Sequence, residues 1–538
     1  MLFNSVEFFV FLPVVLALYW LLREKYVWQN VLLLAASYFF YGWWDARFLF
    51  LIALTTVVDY NAALLLNSTT RLADRFRSST FLLLSCLLFV VPDYSGVNRY
   101  SSLAGPATLV SLVISVLIIL GPSFIGSLTR DSKRKFLIGF SIFVNLAILG
   151  TFKYYGFFSE SFSSLYFEIF GVDPGFVTLN IVLPVGISFY TFQSMSYTID
   201  VYRKDLKPTE NLLEFAAYLS FFPQLVAGPI ERGKSLLPQF QRNRLVSVET
   251  IREGCWLIAW GLFKKLVIAD NLAVLVNGVF NPYDADNSMG SSNLSGFEVL
   301  IAIYAFAFQI YADFSGYSDI ARGCAKLMGF ELMVNFRVPY FSTNPSEFWN
   351  RWHISLSSWL RDYLYIPLGG NRGSKIGTYR NLVLTMVLGG LWHGASWNFI
   401  LWGAYQGSIL VAYRILGFEG VGTSSSGWRK ILHIAWFFQL TCVGWLIFRA
   451  QNLNTISVFV QSIIFDFHIT ELALEKLGTM LFYTWPLILI QIVQFKTGEL
   501  HWLPRRHWFV RYNAWVFLVV SMLVLSAKQE VEFIYFAF

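Results

Sequence analysis

Apolar residues run in long blocks along most of this chain, and short polar segments separate the blocks. A helix needs roughly 20 apolar residues to cross a bilayer. Blocks that approach this length lie at residues 3–22, 31–42, 48–66, 106–126, 136–158, 180–199, 211–230, 296–312, 382–392, 397–416, 431–448, 475–495 and 513–526. Several fall short of a full crossing, as re-entrant or interfacial segments do. The pattern predicts an all-α polytopic membrane protein with roughly ten to fourteen transmembrane helices.

The composition supports this class of protein. Of the 538 residues, 56% are hydrophobic and only 14% are charged, and the mean hydropathy is +0.55. A chain of this kind is solvated mainly by lipid rather than by water. The sequence contains no repeat of fixed period and no long low-complexity linker. We therefore expect a single membrane-embedded domain that covers residues 1–538.

The formal net charge of +7 comes largely from short loops between the apolar blocks. Basic residues cluster at Arg71 to Arg77, at Arg130 to Lys135 and at Arg203 to Lys207, which is typical of loops kept on the cytoplasmic side. A further basic segment, His501 to Trp515, is interleaved with aromatic residues and fits an anchor at the membrane interface. These charges indicate the lipid bilayer as a partner, and no nucleic acid.

Carboxylates and hydroxyls appear at the end of one apolar block, in residues 309–323. If the helix continues, Asp313 and Tyr317 share one face, because they are four residues apart. They either join a hydrogen-bonded network between neighbouring helices or contact the substrate directly. The sequence favours neither interpretation over the other.

Residues 335–380 combine many aromatic side chains with arginines, among them Trp352 and Arg351, and with amides such as Asn350. This mixture fits amphipathic or re-entrant helices near the cytoplasmic face. Guanidinium groups there could hold a nucleotide-bearing, phosphate-rich donor. Lipid head groups would suit the same cations equally well.

Two histidines, His353 and His393, stand next to tryptophans in otherwise apolar sequence. An ionisable side chain at membrane depth is costly, so it is a candidate for function. Apolar surroundings disfavour the imidazolium and leave a neutral base that can take a proton from a hydroxyl. We therefore take the pair as the candidate catalytic residues. The candidate substrate-binding residues are Asp313, Tyr317, Asn350, Arg351, Trp352 and Trp392.

Other chemistries find less support. No His or Cys pair has the spacing of metal ligands, and the Gly-x-Ser-x-Gly motif of serine hydrolases is missing. We expect no bound metal and no bound cofactor. A second class of function stays open, a transporter or export subunit for a polysaccharide or an acyl donor, because intramembrane Asp and His also serve proton relays.

A series of motifs follows in order along most of the chain. They occupy Met1–Pro13, Ala36–Trp44, Leu183–Gln193, Ile199–Arg203, Phe222–Arg232, Asp313–Asp319, Phe348–Ser374, Leu388–Trp397 and Glu532–Phe538. Through them the chain resembles the membrane-bound O-acyltransferases, and within that family the branch of the bacterial alginate O-acetyltransferases. The resemblance implies transmembrane and re-entrant helices around a central tunnel.

The resemblance also implies an activity. An acetyl group would move from cytoplasmic acetyl-CoA, the acyl donor, towards the exported face of the inner membrane for O-acetylation of an exported polysaccharide. The acceptor would be the polysaccharide, alginate-like or another, or a partner acetyltransferase on the exported side. By the same likeness His393 is the catalytic histidine and His353 the second polar residue of the tunnel, with Asn350 as an alternative group to polarise the carbonyl.

One region, about residues 67–135, departs from the pattern of the family. It contains two apolar stretches, Phe81 to Pro92 and Pro106 to Gly126, that do not match the family's motifs. We expect it to be an insertion within the membrane domain.

Overall fold

All regular elements of the described residues are helical, which confirms the predicted all-α fold class. The structure, a computed structural model, describes residues 1–89, 101–175, 182–226, 228–285, 294–420, 422, 426–500, 502–528 and 531–534. The chain divides into two compact units. One unit comprises Met1–Ser247 with Ala325–Leu332, and the other comprises Val248–Cys324 with Met333–Phe538.

The first unit is built around one almost completely buried helix. The helices of this unit are α1 (Val6–Leu21), α2 (Tyr26–Asp45), α3 (Leu49–Leu66), α4 (Leu72–Ser85), α5 (Ser101–Phe124), α6 (Arg130–Leu149), α7 (Tyr155–Phe170), α8 (Ile187–Tyr202), α9 (Leu212–Ser220), α10 (Phe222–Leu225) and α11 (Gly233–Phe240). Helix α3 packs against α4, α6, α8 and α9. Its buried Asp59 accepts hydrogen bonds from Ser141 and Asn145 of α6, at 2.6 and 2.8 Å. A buried carboxylate thus helps to hold α3 and α6 together.

The second unit contains both candidate histidines. Its helices are α12 (Val248–Phe263), α13 (Asp270–Ala285), α14 (Gly296–Leu327), α15 (Pro345–Trp349), α16 (Ile354–Leu360), α17 (Lys375–His393), α18 (Trp397–Ile415), α19 (Gly427–Arg449), α20 (Leu453–Phe465), α21 (Glu471–Thr497) and α22 (Trp508–Leu525). The last residues of α14 belong to the first unit. A π-helical turn, Lys264–Ala269, joins α12 to α13, and another, Arg361–Tyr365, continues α16.

Within the described part of the chain, seven segments are long and apolar enough to cross a membrane. They are Tyr26–Leu66, Ala104–Ser127, Arg130–Phe170, Gly296–Leu327, Gly427–Arg449, Glu471–Thr497 and Trp508–Leu525. This confirms a multi-pass membrane protein, although the segments are fewer than the spans predicted. Part of the difference is that Tyr26–Leu66 combines α2 and α3, which are separated at Asp45 by a short 3-10 turn. Other predicted blocks form helices of modest length, such as the 16-residue α8.

The expected insertion at 67–135 consists mainly of helices where the structure describes it. Its second apolar stretch lies on α5, which belongs to a candidate span and packs against α4 and α3. The first stretch covers the end of α4 and a 3-10 turn, Cys86–Phe89, and its last residues, 90–92, lie outside the described part. Cys86 and Ser111 are in side-chain contact at 3.1 Å, which links the turn to α5.

Helices α17 and α18 form a tight antiparallel hairpin because glycines let their backbones touch. A Cβ atom on Gly390 would lie 2.1 Å from the carbonyl oxygen of Phe399, and one on Gly403 would lie 2.4 Å from that of Met386. Contacts this short exclude any side chain at either position. This close approach brings the first turns of α18 against the end of α17, where His393 lies.

We expect the Gly403→Ala variant to be destabilised by about 1–3 kcal/mol, since its methyl group would overpack the contact between the two helices. The matched control is Gly278→Ala on α13, where a Cβ atom meets nothing within 4 Å. There alanine should gain stability, because it is the better helix former. Thermal unfolding of the detergent-solubilised variants measures both changes. A Gly403→Ala protein as stable as the control would show that the contact is unimportant.

Candidate active site

His393 is the last residue of α17 and lies inside a shell of aromatic rings. Its side chain is 5% exposed. The ring centroids of Trp392, Trp402 and Phe448 lie 5.1, 5.2 and 5.5 Å from that of the imidazole, each at a steep angle. The imidazole therefore has indole and phenyl rings as its immediate neighbours on several sides, and little contact with water.

The turn after His393 is fixed by two local contacts. A Cβ atom on Gly394 would lie 2.1 Å from the ring of Phe399, so only glycine fits there. The side chain of Asn398 donates a hydrogen bond to the carbonyl oxygen of Ala450. Both contacts hold the start of α18 in place. They account for the Gly and Asn in the motif that contains His393.

His353 occupies a strained position in the backbone. Its φ angle is 43°, in the left-handed region that residues other than glycine rarely adopt. The following residues bind Asn335: Ile354 donates its N–H to the Asn335 carbonyl at 3.0 Å, and Ser355 donates to the Asn335 side chain at 3.3 Å. Strain of this kind costs free energy and is often found at functional sites. Asn335 is the residue that stabilises it here.

The side chain of His353 is completely buried and lies close to His393. Its ring centroid lies 4.7 Å from that of Phe314 on α14, 5.9 Å from that of Trp392 and 6.4 Å from that of His393. Burial lowers the pKa of His353 to about 3. The imidazole is therefore neutral at physiological pH, as the apolar sequence around it predicted.

Trp352 and Trp392, two of the predicted substrate contacts, belong to the same aromatic cluster as the histidines. Trp392 contacts both imidazoles, and the three ring centroids form a triangle with sides of 5.1, 5.9 and 6.4 Å. Trp352 is buried, and its ring centroid lies 4.9 Å from that of Trp445 and 5.6 Å from that of Phe348. Its surroundings are those of a packed core residue. Trp352 as a substrate contact stays a prediction.

Asn350 and Arg351, by contrast, lie at the edge of this cluster. The exposed Asn350 donates its side-chain amide to the carbonyl oxygen of Ser346 at 2.9 Å. Arg351 forms an ion pair of 2.6 Å with Glu347, one turn earlier. In this structure both side chains are thus engaged with their own short helical segment, and their contact with substrate stays a prediction.

Asp313 and Tyr317 share one face of α14, as predicted, and this face belongs to a buried network. Asp313 forms an ion pair of 3.1 Å with Lys265 and accepts the N–H of Ile534 at 2.8 Å. Tyr317 packs against Phe533 with a centroid distance of 4.1 Å. Of the two interpretations of this pair, these contacts favour the network that holds helices together.

Three residues that contact the histidines were not predicted from the sequence: Phe314, Trp402 and Phe448. Phe314 follows Asp313 directly in sequence on α14, and its ring contacts His353. Trp402 could have been suspected, because a helical hairpin places residues of α18 beside the end of α17. Phe448 carried no local signal, since it comes from α19, distant in sequence.

A cavity of about 300 Å³ lies next to this centre. Its lining includes Trp349 and Asn350 of the segment before His353, Ser358 of α16, Arg361 and Arg414. The histidines themselves do not line it. The indole of Trp349 nevertheless contacts that of Trp402, at 5.9 Å between centroids, and Trp402 contacts His393. A single indole ring, that of Trp349, thus separates the cavity from the aromatic rings that surround His393.

In the described residues, no three His, Cys, Asp or Glu side chains come together as a metal site would require.

Comparison with known proteins relates the chain to one family of membrane enzymes. The family profile of MBOAT, the membrane-bound O-acyltransferase family, matches residues 203–457, a range that includes both histidines. The chain is 42% identical to a probable alginate O-acetylase of Pseudomonas aeruginosa over 84% of its own length and 73% of that protein. It is 29% identical to a peptidoglycan O-acetyltransferase of Helicobacter pylori over 100% and 98% of the two chains. A teichoic acid D-alanyltransferase of Bacillus subtilis is 28% identical over 51% and 71%.

The buried His353 gives the fold a pH dependence of definite sign. Because its pKa is lower in the folded chain than the usual 6.5, the unfolded chain takes up the proton first as the pH falls. Stability is therefore lost between pH 7 and 5. We expect the wild type to lose about 2 kcal/mol more unfolding free energy over this window than the His353→Gln variant. Thermal unfolding in detergent at the two pH values measures the difference, with His433→Gln as the control that should follow the wild type. Equal losses in all three proteins would argue against a neutral, buried His353.

Proposed function

The chain belongs to the membrane-bound O-acyltransferase family, and from that premise we propose that it transfers an acetyl group from cytoplasmic acetyl-CoA to a hydroxyl group for the O-acetylation of an exported polysaccharide. That it is an O-acyltransferase and a multi-pass membrane protein follows from the family and the helices. The donor, the acceptor and the inner membrane as its location are the proposed parts. The observation that carries the proposal is the pair of buried imidazoles, His353 and His393, 6.4 Å apart.

In this mechanism His393 is the general base. Its neutral imidazole takes the proton of the acceptor hydroxyl while the oxygen attacks the carbonyl carbon of the thioester. The tetrahedral intermediate then expels the coenzyme A thiolate, which recovers the proton from the His393 imidazolium. A positioned base of this kind contributes roughly 10² to 10⁴ in rate.

The second polar group polarises the thioester carbonyl or positions the acceptor. We assign this role to His353, because its ring centroid lies 6.4 Å from that of His393 and its backbone is held in a strained conformation before α16. A neutral imidazole with a ring N–H can donate a hydrogen bond to the developing oxyanion. Asn350 is the alternative donor, since its amide lies at the cavity beside the centre.

The cavity of about 300 Å³ is the proposed approach for the donor, since its volume is that of an ordinary small-molecule pocket. Arg361 and Arg414 line it and carry charges that suit the phosphates of coenzyme A. Each is paired in this structure, Arg361 with Asp362 and Arg414 with Glu419. Phosphates would then bind in competition with these carboxylates. Trp349 of the cavity lining contacts Trp402, which contacts His393, and this supports a thioester end that lies near the base.

The acceptor is proposed from the relatives. Those named above act, by their names, on alginate, on peptidoglycan or, with a D-alanyl group, on teichoic acid. An exported or cell-wall polysaccharide is the chemistry shared by the two acetyl-transferring relatives. The acetyl group would reach it directly or through a partner acetyltransferase on the exported side.

We also propose that residues 1–538 work as one acyltransferase domain with an insertion at 67–135. The family profile, residues 203–457, takes in residues of both compact units, so neither unit alone corresponds to the matched region.

Replacing His393 tests the central claim. We expect His393→Ala to lower acetyl transfer by roughly 10² to 10⁴, since the base is lost. The control is His433→Ala, because His433 is half-buried on α19 and does not belong to the aromatic cluster around His393. The readout is the O-acetyl content of the host's extracellular and cell-wall polysaccharides by mass spectrometry, with membrane levels of each variant measured alongside. Equal O-acetyl content in His393→Ala and wild type would contradict the mechanism and favour the transporter interpretation.

Filling the cavity tests the proposed path of the donor. Ser358→Phe should raise KM for acetyl-CoA roughly tenfold with little change in kcat, because the larger ring occupies space that the bound donor needs in both ground and transition state. Ser408→Phe is the matched control, since Ser408 is exposed on α18 and is not part of the cavity lining. The assay follows labelled acetyl groups from acetyl-CoA in proteoliposomes. An unchanged KM in Ser358→Phe would place the donor elsewhere.

A further inference from the structure

Two neighbouring lysines in the π-helical turn after α12 belong to two different ionic groups. Lys265 is held by two carboxylates, Asp270 at 2.7 Å and Asp313 at 3.1 Å, and donates to the carbonyl oxygen of Val531 at 2.9 Å. Lys264, in contrast, pairs with Asp319 at 2.7 Å and donates to Ser315 at 2.8 Å. The two lysines are adjacent in the π-helical turn, but their side chains bind different carboxylates.

The group around Lys264 is richer in cations than in carboxylates. Asp319 accepts from Lys264 with one oxygen and from Arg322 with the other, at 2.7 and 3.1 Å, so a single carboxylate bridges the two cations. The side chains of Lys264 and Arg322 are only 2% and 7% exposed. The three side chains carry a formal charge of +1. Around Lys265 the balance is reversed, with two carboxylates for one cation.

Lys264, Asp319 and Arg322 line a cavity of about 50 Å³, separate from the one beside His393. A space of this size admits a few water molecules or one tetrahedral anion. Ser315 and Gln491 add polar groups to the lining, and further walls come from aromatic rings. These rings are Trp256, Trp260, Tyr311, Phe336 and Trp502.

The cavity lies beside the end of a candidate membrane span, where we expect the membrane interface. One wall is an apolar strip of α21, a candidate membrane span, made by Leu487, Ile490 and Val493. Another wall is made by Leu500, Trp502 and Leu503, which follow the end of α21 in the sequence. Directly after it come exposed basic residues in a setting of aromatic rings, the composition of a helix end at the lipid head groups.

The basic residues beside the cavity, Arg505 and Arg506, each make a contact within the protein. Arg506 lies over the ring of Trp502, with its guanidinium 4.4 Å from the centroid. Arg505, 57% exposed, pairs loosely with Glu253 of α12 at 3.7 Å. They add positive potential near the cavity but do not line it. They are therefore suited to attract an anionic head group, whereas Lys264 and Arg322 are placed to hold it.

We propose that this cavity binds the phosphate of an anionic phospholipid head group, with Lys264 and Arg322 as its cations and the apolar strip of α21 as the path of its acyl chains. Arg and Lys together match phosphate geometry and charge. Basic pockets between membrane helices are a common form of head-group recognition. Because Tyr311 and Phe336 line the cavity and also pack against Trp352, a bound lipid would support the helices that carry the candidate active site.

The test uses the full chain, purified in a neutral detergent, and native mass spectrometry to count retained lipid. The probe is phosphatidylglycerol, compared with a neutral diglucosyl diacylglycerol and with inorganic phosphate. We expect wild type to retain phosphatidylglycerol, and Lys264→Gln and Arg322→Gln to bind it roughly ten- to hundredfold more weakly through loss of a charge-assisted hydrogen bond. Arg506→Gln, outside the cavity, is the matched control for general electrostatic attraction and should resemble wild type.

Asp319→Asn separates a lipid site from a purely structural network. It removes the carboxylate that competes for the two cations, so phosphatidylglycerol should bind at least as tightly as to wild type. Weaker binding in Asp319→Asn than in wild type would overturn the proposal. Equal retention of phosphatidylglycerol by wild type and Lys264→Gln, equal retention of the neutral glycolipid, or displacement by inorganic phosphate alone would do so as well. Monodisperse elution of each variant shows that it is folded.

Discussion

The backbone contact between α17 and α18 is the constraint on which the candidate active site depends. Gly390 and Gly403 let the two helices approach until carbonyl oxygens meet Cα atoms, which fixes the hairpin without any side chain between them. His393 ends α17 and consequently lies against Trp402 of α18. Glycine is also required at Gly394 in the turn, because the ring of Phe399 occupies the space that a side chain would need. The geometry of the candidate active site therefore depends on glycines without side chains as much as on the side chains that surround His393.

Around this hairpin, aromatic rings create the chemical environment. Phe314, Trp392, Trp402 and Phe448 surround the two imidazoles and leave them little contact with water. Such surroundings keep an imidazole neutral and strengthen any hydrogen bond formed inside them. The same rings are rigid, since they have few rotatable bonds. A neutral base held in a dry, rigid site is suited to take a proton from a hydroxyl that arrives beside a thioester.

Charged residues in the apolar interior of the second unit divide into two kinds. Asp313, Lys265 and Asp270 form a group whose members bind one another and the chain near its end, so their role is to hold helices. Lys264 and Arg322 share one carboxylate and face a cavity. Burial in an apolar segment is common to both kinds, and the number of carboxylates for each cation distinguishes them. An intramembrane charge is thus a sign of function only after its partners are known.

The sequence alone was enough to predict the fold class and the family and to single out two histidines as candidates, because apolar blocks, motif order and an imidazole beside a tryptophan can all be read along the chain. It also placed Asp313 and Tyr317 on one helix face, which four-residue spacing requires. It did not determine which blocks are full spans, since α8 and its neighbours differ little in composition from longer helices. Only the tertiary structure decided that Lys265 and Ile534 are the partners of Asp313, and that Phe314 and Phe448 complete the shell. These neighbours come from distant parts of the chain, and packing between helices, rather than spacing along them, brings such residues together.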